Sequence, residues 1–305
     1  MVQITGGKCM LKRNQPKGSS NLLGPIRLAV VFLLVPLLFS CAQEFETTLP
    51  GIAADEKGVY QPGRFIWFEL LTEDGKTARR FYSQLFGWTF AESAQYKGYS
   101  TIVHNGREIG GILDVAGEDL GTLESRWICS ISTSNVDEAA KNVASLGGTL
   151  LNGPVDSGSR GRLAQVEDSQ GADFILLRSP NGDPGKFDPV PGNPIWVDLF
   201  TPNKSASLKF YTNLYDYDVT QPDENAEHYV FTTNSKSRAG LTPVLWDDLE
   251  ATWLLFIGVA NLRVNVMKAI DLGATLITYN ERAAVILDPS GAAIGLHLLA
   301  QGGQK

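Results

Sequence analysis

The spacing of hydrophobic and polar residues predicts a strand, a helix and three further strands at the start of the folded chain. Residues 64–71 are rich in aromatic and apolar residues and end in a polar turn, which is typical of a strand. In residues 75–86 apolar side chains recur at spacings of three and four, as on one face of a helix, and Gly87 would end it. Short apolar segments between Gly- and Asn-containing turns predict strands at residues 89–92, 99–104 and 109–113.

The same order of elements begins again at residue 126. The pattern predicts a strand at residues 126–132, a helix at 136–146 that is closed by two glycines, and final strands at 162–167 and 172–177. The chain therefore contains two successive units of about 55 residues, each with one helix.

Both units return later in the chain, so the sequence is a duplication. Trp67 returns as Trp196, 129 residues later, and the spacing from each Trp to the Phe-Tyr pair of the following helix is identical. The second unit returns at an offset of 126, as from Trp127 to Trp253, and the offset falls to 120 after its helix. The second copy has therefore lost six residues from the loop that contains residues 153–161, where length is tolerated.

A segment rich in Pro and Gly, residues 180–194, separates the four units into two pairs and is predicted to be a linker. We predict a first domain at residues 64–179 and a second at 195–300, preceded by a polar tether at 41–63. With 43% hydrophobic residues, the chain can bury one large core or two ordinary ones. Pairing would let the sheets of two units curl around a shared interior.

Three motifs stand out in these units. They are the strand Trp-x-(Glu/Asp)-Leu, the helix end Phe-Tyr-x-x-Leu-(Phe/Tyr), and Asp-Pro-Ser-Gly-Ala-Ala-Ile-Gly-Leu near the end of the chain. Together with the fourfold layout, they resemble the vicinal oxygen chelate superfamily, which contains glyoxalases, extradiol dioxygenases and bleomycin-resistance proteins. The resemblance covers about residues 64–299. It implies an α+β fold in which four βαβββ modules pair into two glyoxalase-like domains.

The resemblance also implies where metal ligands should lie. In the metal-using members, the first strand of a unit carries His, Gln or Glu seven residues before the start of the helix, and a further Glu follows the Asp-Pro-x-Gly motif. The matching positions here are Trp67, Ile128, Trp196, Leu254, Ile175 and Gly295. Because these side chains are not metal ligands, we predict that the metal site has been replaced and that no cofactor is bound.

Strand alternation predicts what faces the two interiors instead. The first would contain Trp67, Glu69, Leu71, Ile128, Ser130, Ser132, Asp173, Ile175 and Leu177. The second would contain Trp196, Asp198, Phe200, Leu254, Phe256, Gly258, Ala293, Gly295 and His297. An aromatic wall with one or two carboxylates suits a small apolar or aromatic ligand, including a cationic one. The candidate ligand-binding residues are Trp67, Glu69, Ser130, Asp173, Trp196, Asp198, Phe256 and His297.

Other hypotheses stay open from the sequence. The tryptophans could fill both interiors, with Glu69 and Asp198 bonded locally, which would make this a structural protein. Asp198 and His297 could instead form a catalytic proton-transfer pair. Asp198, His228 and His297 have the residue types of an iron site, as a lyase, isomerase or dioxygenase with atypical ligands would need. Turns at the cavity mouths hold further cations that could bind an anion but are expected to be solvated turn residues: Arg107, Arg160, Arg162 and Arg282.

The first forty residues predict a lipoprotein signal peptide. They hold five basic and no acidic residues and an apolar run at 28–39, shorter than the roughly 20 residues that a membrane-spanning helix needs. Leu38-Phe39-Ser40-Cys41-Ala42 resembles the lipobox of bacterial lipoproteins, which implies lipidation of Cys41. The alternatives are an ordinary secretory signal or an uncleaved anchor. Since Asp does not follow Cys41, the resemblance implies the outer membrane, with the domains in the periplasm.

Charge and cysteine content limit the possible partners. Removal of the first forty residues would change the net charge from −7 to −12, which argues against nucleic acid as a partner. With Cys41 lipidated, Cys129 is left alone and no intrachain disulfide forms. We therefore expect a lipid-anchored envelope protein, monomeric or homodimeric, that binds a small molecule and contacts the membrane through its lipid only.

Overall fold

A computed structural model describes residues 49–116, 124–223, 227–244 and 250–300. The predicted signal peptide and Cys41 lie outside these residues. In the described part of the chain, no helix combines the length and the apolar character needed to cross a membrane.

The described residues contain the predicted order of elements four times. The first two modules consist of β1 (Phe65–Thr72), α1 (Gly75–Phe86), β2 (Thr89–Glu92), β3 (Tyr99–His104), β4 (Arg107–Asp114), β5 (Arg126–Ser132), α2 (Val136–Ser145), β6 (Thr149–Asp156), β7 (Arg162–Glu167) and β8 (Asp173–Arg178). The last two consist of β9 (Pro194–Thr201), α3 (Lys204–Tyr215), β10 (Asp218–Thr220), β11 (Tyr229–Thr233), β12 (Lys236–Pro243), β13 (Thr252–Val259), α4 (Leu262–Asp271), β14 (Thr275–Tyr279), β15 (Ala283–Leu287) and β16 (Ala293–Leu298). The prediction of four βαβββ modules in an α+β fold is confirmed.

Each helix begins at a side chain that caps it. Asp74, Asn135, Asn203 and Asn261 each accept a hydrogen bond from the backbone N–H three residues further on. Gly87 ends α1 in the left-handed conformation, with φ of 77°. The boundaries of these helices therefore follow from local sequence.

Each pair of modules forms one eight-stranded sheet. The strand orders are β2-β3-β4-β1-β5-β8-β7-β6 and β10-β11-β12-β9-β13-β16-β15-β14. The two modules of a sheet meet along their first strands, which pair antiparallel as β1 with β5 and β9 with β13. The strands that carry Trp67 and Trp196 therefore lie at the centre of each sheet.

The two sheets share one hydrophobic core. The larger cluster of buried apolar side chains contains residues of both sheets, and a smaller cluster in and beside the first domain consists of Ile52, Ile66, Trp67 and Leu177. The rings of Phe65 and Trp253, one from each sheet, lie 4.6 Å apart between centroids. Tyr82 of α1 donates a hydrogen bond to Asp288 of the second domain at 2.8 Å. Burial of apolar area between the sheets therefore holds the two domains together.

The segments that flank the first domain are bonded to it. The carbonyl of Pro50, in the predicted tether, accepts a hydrogen bond from Arg160 Nε of the first domain at 2.7 Å. Gly58 N–H donates to the carbonyl of Asn181, in the linker, at 2.8 Å. Trp88 Nε1 donates to the carbonyl of Gly192 at 2.8 Å. Residues 50–63 and the linker are thus attached to the domain by specific hydrogen bonds.

Candidate ligand site in the second domain

A cavity of about 630 Å³ lies against the central strands of the second sheet. Its volume is within the range of about 300–1,000 Å³ that is usual for small-molecule sites. The four candidate ligand-binding residues of the second domain, from β9, β13 and β16, form part of its wall: Trp196, Asp198, Phe256 and His297. Phe200, His228 and Thr242 also line it, which gives a mainly apolar wall with a few polar groups.

Asp198 is the centre of the polar part of the wall. Asp198 is only 4% exposed, and its carboxylate accepts hydrogen bonds from three side chains. His228 Nε2 lies 3.1 Å from Oδ1, Thr242 Oγ1 lies 2.6 Å from Oδ2, and Trp196 Nε1 lies 3.4 Å from Oδ1. A buried carboxylate with these donors is compensated and held in one orientation. The hydrogen bond that His228 donates to Asp198 raises the pKa of His228, although partial burial opposes the change.

A glycine on the neighbouring strand makes this cluster possible. Gly240 of β12 pairs with Asp198 of β9 in the parallel register. A Cβ atom at Gly240 would lie 1.8 Å from Asp198 Oδ1 and 2.6 Å from His228 Nε2. The absence of a side chain there is therefore a condition for the Asp198–His228 contact.

The second histidine of the cavity is separate from Asp198. His297 Nδ1 is buried and has no hydrogen-bond partner among the described residues. Burial lowers the pKa of His297. The sequence suggested an Asp198–His297 pair, whereas in the structure Asp198 bonds to His228. His297 thus lines the cavity with its ring, while its Nδ1 atom stays buried and unpaired.

The interior of the first domain is filled by Arg160. Its guanidinium donates to Glu69 Oε1 at 2.7 Å and to the hydroxyl of Tyr99 at 2.8 Å. Tyr99 in turn donates to Glu69 Oε1 at 3.0 Å, and Trp67 lies beneath the guanidinium, 5.3 Å from its carbon to the ring centroid. Arg160 is only 1% exposed, so the expectation that it is a solvated turn residue was wrong. Trp67 and Glu69 are thus packed and paired within the protein.

The two other first-domain candidates are also engaged within the protein. Ser130 is 1% exposed and pairs with Trp67 across β1 and β5. Asp173, the first residue of β8, forms an ion pair with Arg126 at 3.1 Å. Neither residue lines the cavity in the second domain.

The duplication explains why the two interiors differ. At an offset of 129, Tyr99 corresponds to His228 and Glu69 corresponds to Asp198, so a carboxylate has an aromatic partner in both domains. Fifteen residues separate the paired Leu150 and Val166 of the first domain, whereas nine separate their counterparts, Leu276 and Ile286.

The shorter hairpin has no counterpart of the turn that carries Arg160. Ala283 and His297 form a cross-strand pair where the first domain has the pair Leu163 and Leu177. The second domain therefore lacks a counterpart of Arg160 and has Ala283 in place of the larger Leu163. These two differences account for the open space in its interior.

The residues do not fit the metal site of the superfamily. The six expected ligand positions hold Trp67, Ile128, Trp196, Leu254, Ile175 and Gly295. In the ranges that the structure describes, no three His, Cys, Asp or Glu side chains are grouped to hold a metal ion. Asp198, His228 and His297 share one cavity but do not form such a group. That the protein binds no metal ion stays a prediction, which metal analysis can test.

This chain is similar to known proteins both in sequence and in fold. Residues 64–103 match the family described as bleomycin resistance protein-like N-terminal. The fold is similar to the Mn(II)-bound glyoxalase from Novosphingobium aromaticivorans, with a TM-score of 0.54, 12% identity, and coverage of 79% of this chain and 83% of that one. It is also similar to homoprotocatechuate 2,3-dioxygenase from Arthrobacter globiformis, with a TM-score of 0.55, 13% identity, and coverage of 84% and 85%.

In its motifs, its family match and its fold, the chain is similar to proteins of the vicinal oxygen chelate superfamily. In sequence it is similar to the anthracycline biosynthesis protein DnrV of Streptomyces peucetius. The two are 27% identical over 268 residues, which cover 80% of this chain and 96% of that protein.

Proposed function

We propose that the second domain binds a small, mostly apolar and planar molecule, while the first domain has a structural role. The observation that carries this proposal is the contrast between the two interiors: about 630 Å³ of space beside Asp198, and a buried arginine beside Glu69. Trp196, Phe200 and Phe256 supply aromatic area for stacking.

Polar groups of the cavity suggest what the ligand carries. The side chains of His297 and His228 both line the cavity, and His228 is held by Asp198. Neutral or charged imidazole groups bond readily to carbonyl and hydroxyl oxygens. A planar aromatic ligand with such oxygens, for example a hydroxylated quinone, therefore fits the cavity. The similarity to a protein named for anthracycline biosynthesis is consistent with a polycyclic aromatic ligand.

Calorimetric titration with 1,8-dihydroxyanthraquinone, in buffer with a fixed fraction of cosolvent, tests this proposal. We expect one binding site per chain. Ala283→Leu, which introduces the leucine found at the equivalent position of the first domain, should weaken binding about tenfold or more because it takes up cavity space.

Trp67→Phe is the matched control, since Trp67 lies in the filled interior, and it should leave the affinity within about twofold. Binding that is insensitive to Ala283→Leu, or that responds to Trp67→Phe instead, would contradict the proposed location. Failure of this probe and of related planar quinones to bind would contradict the ligand class.

The Asp198–His228 contact also favours a second candidate function, metal-free proton transfer. A histidine held by a carboxylate in a cavity can act as a general base. Exchange of the protons next to the carbonyl of 1-tetralone for solvent deuterium, followed by NMR, measures this activity. The enzyme hypothesis requires faster exchange with the wild-type protein than with His228→Gln; equal rates would leave binding as the only role.

We further propose that Cys41 anchors the protein by lipid to the outer membrane, with the folded domains in the periplasm. The support is the sequence around Cys41 and the basic, then apolar, residues before it. Expression in a Gram-negative host with a radiolabelled fatty acid should label the wild-type chain and not Cys41→Ala. Equal labelling of both, or none of either, would overturn the anchor.

A further inference from the structure

A second, basic pocket lies between the two domains. This interdomain groove has a volume of about 310 Å³. Its cationic lining comes from both domains and from the linker, and aromatic side chains form much of the rest: Arg64, Lys186, Lys236 and Arg238, with Phe65 and Phe187. Ile195 and Trp196 separate it from the cavity of the second domain, because these two residues line both.

The four cations of the groove are not paired with carboxylates of the described protein. None of them forms a salt bridge within 4.0 Å among the described residues. The Nε atoms of Arg64 and Arg238 are buried and have no hydrogen-bond partner in the described part of the chain. Arg64 otherwise donates to the carbonyl of Pro184, and Arg238 Nη1 lies 3.5 Å from Gln61 Oε1. Buried guanidinium N–H groups without acceptors are costly, so this pair of arginines is poorly compensated in the free protein. Both arginines line the groove, where an anion can approach their guanidinium groups.

Nearby charges act on Arg64 in both directions. Burial lowers the pKa of Arg64, the carboxylate of Asp183 opposes that effect, and the nearby Arg238 lowers the pKa further. Asp183 Oδ2 already accepts hydrogen bonds from Gln61 N and Ser132 Oγ, both at 2.6 Å. Repulsion between two arginines in one groove therefore persists in the free protein, although the net charge of the chain is −7.

We propose that the interdomain groove binds the oxyanion of a small aromatic acid, with the anion at Arg64 and Arg238 and the ring against Phe65 and Phe187. A guanidinium group presents a fork of donors that matches carboxylate or phosphate oxygens. Apolar walls add area that an inorganic ion cannot use. This site is distinct from the cavity beside Asp198 and does not depend on the function proposed for that cavity.

The test is NMR titration of the purified protein with benzoate, observed at the arginine Nε–Hε resonances. The signals of Arg64 and Arg238 are assigned from their absence in Arg64→Lys and Arg238→Lys. We expect both signals to shift together on addition of benzoate. Arg64→Gln or Arg238→Gln should weaken binding about tenfold or more, because each removes a charge-assisted contact.

Three controls locate and define the site. Arg80→Gln removes the same charge from the exposed face of α1 and should not change the affinity. Ala283→Leu, in the other cavity, should also leave benzoate binding unchanged. Benzyl alcohol, a neutral analogue of similar size, should bind at least about tenfold more weakly than benzoate. Should a groove variant unfold, Lys236→Gln, at an exposed position, provides the same comparison with a smaller expected effect.

A titration with inorganic phosphate distinguishes a site for aromatic acids from a site for any oxyanion. Binding of benzoate in preference to phosphate supports an aromatic acid. Shifts of both arginine signals with phosphate alone support the oxyanion site and overturn the aromatic part. Affinity for benzoate that is equal in the wild type and both glutamine variants overturns the site, as does sensitivity to Ala283→Leu alone.

Discussion

Removal of the Arg160 guanidinium should reveal how the first domain is stabilised. Arg160→Met keeps most of the apolar length of the side chain and removes the donors to Glu69, Tyr99 and the carbonyl of Pro50. Glu69, 5% exposed, is then left as a buried carboxylate with the Tyr99 hydroxyl as its remaining partner. Removing one partner of a buried ion pair costs about 3–5 kcal/mol, and we expect a loss in that range.

A double variant separates the cost of an unpaired charge from the value of the pair. Arg160→Met with Glu69→Leu replaces both charged groups by apolar ones of similar size. Because the desolvation of two charges is then avoided, we expect the double variant to be within about 1–2 kcal/mol of the wild type, more stable than Arg160→Met alone. The single effects should therefore be strongly non-additive.

Urea unfolding followed by tryptophan fluorescence and circular dichroism measures these free energies. Arg162→Met is the matched control, because Arg162 pairs with Asp137 and Asp156 at the surface, where side-chain exposures are 34%, 47% and 76%. An exposed pair of this kind contributes about 0–1 kcal/mol. The assignment of Arg160 as a structural filler would be refuted by a loss no larger than that of Arg162→Met, or by additive effects in the double variant.

Three further predictions concern the cavity of the second domain. Gly240→Ala should lower the free energy of unfolding by about 1–3 kcal/mol or more and abolish quinone binding, because the added Cβ would lie 1.8 Å from Asp198 Oδ1. An unfolding free energy and a calorimetric affinity equal to those of the wild type would contradict this geometry. Because Asp198 raises the pKa of His228 above its ordinary 6.5, the stability that this histidine adds is fully present below pH 6.5 and is lost as the pH rises through the folded-state pKa. The difference in unfolding free energy between wild type and His228→Gln should therefore shrink from pH 5.5 towards pH 8, and a constant difference would refute the coupling. Metal analysis of protein purified without chelator should find less than about 0.1 transition-metal ion per chain. About one ion per chain would contradict the prediction and support a metal site at Asp198, His228 and His297.

The sequence by itself determined the modules and their order. The duplication appears as fixed offsets between Trp67 and Trp196, and the helices start at capping residues that act on their own first turn. Strand alternation also predicted that Trp196, Asp198, Phe256 and His297 face one interior, and these four line the cavity. Local geometry repeats every two residues in a strand, which makes the facing residues readable from sequence.

Tertiary structure decided which interior is open and which groups meet in it. Arg160 lies 91 residues after Glu69, in a turn whose path into the interior no periodicity predicts. The signal that could have found it was the six-residue difference between the two copies, which removes this turn from the second domain. Likewise, the partner of Asp198 is His228, from the segment just before β11, because the pairing of β11 with β12 and of β12 with β9 brings that segment beside β9. Contacts between strands distant in sequence depend on register and chain path, which only the folded sheet defines.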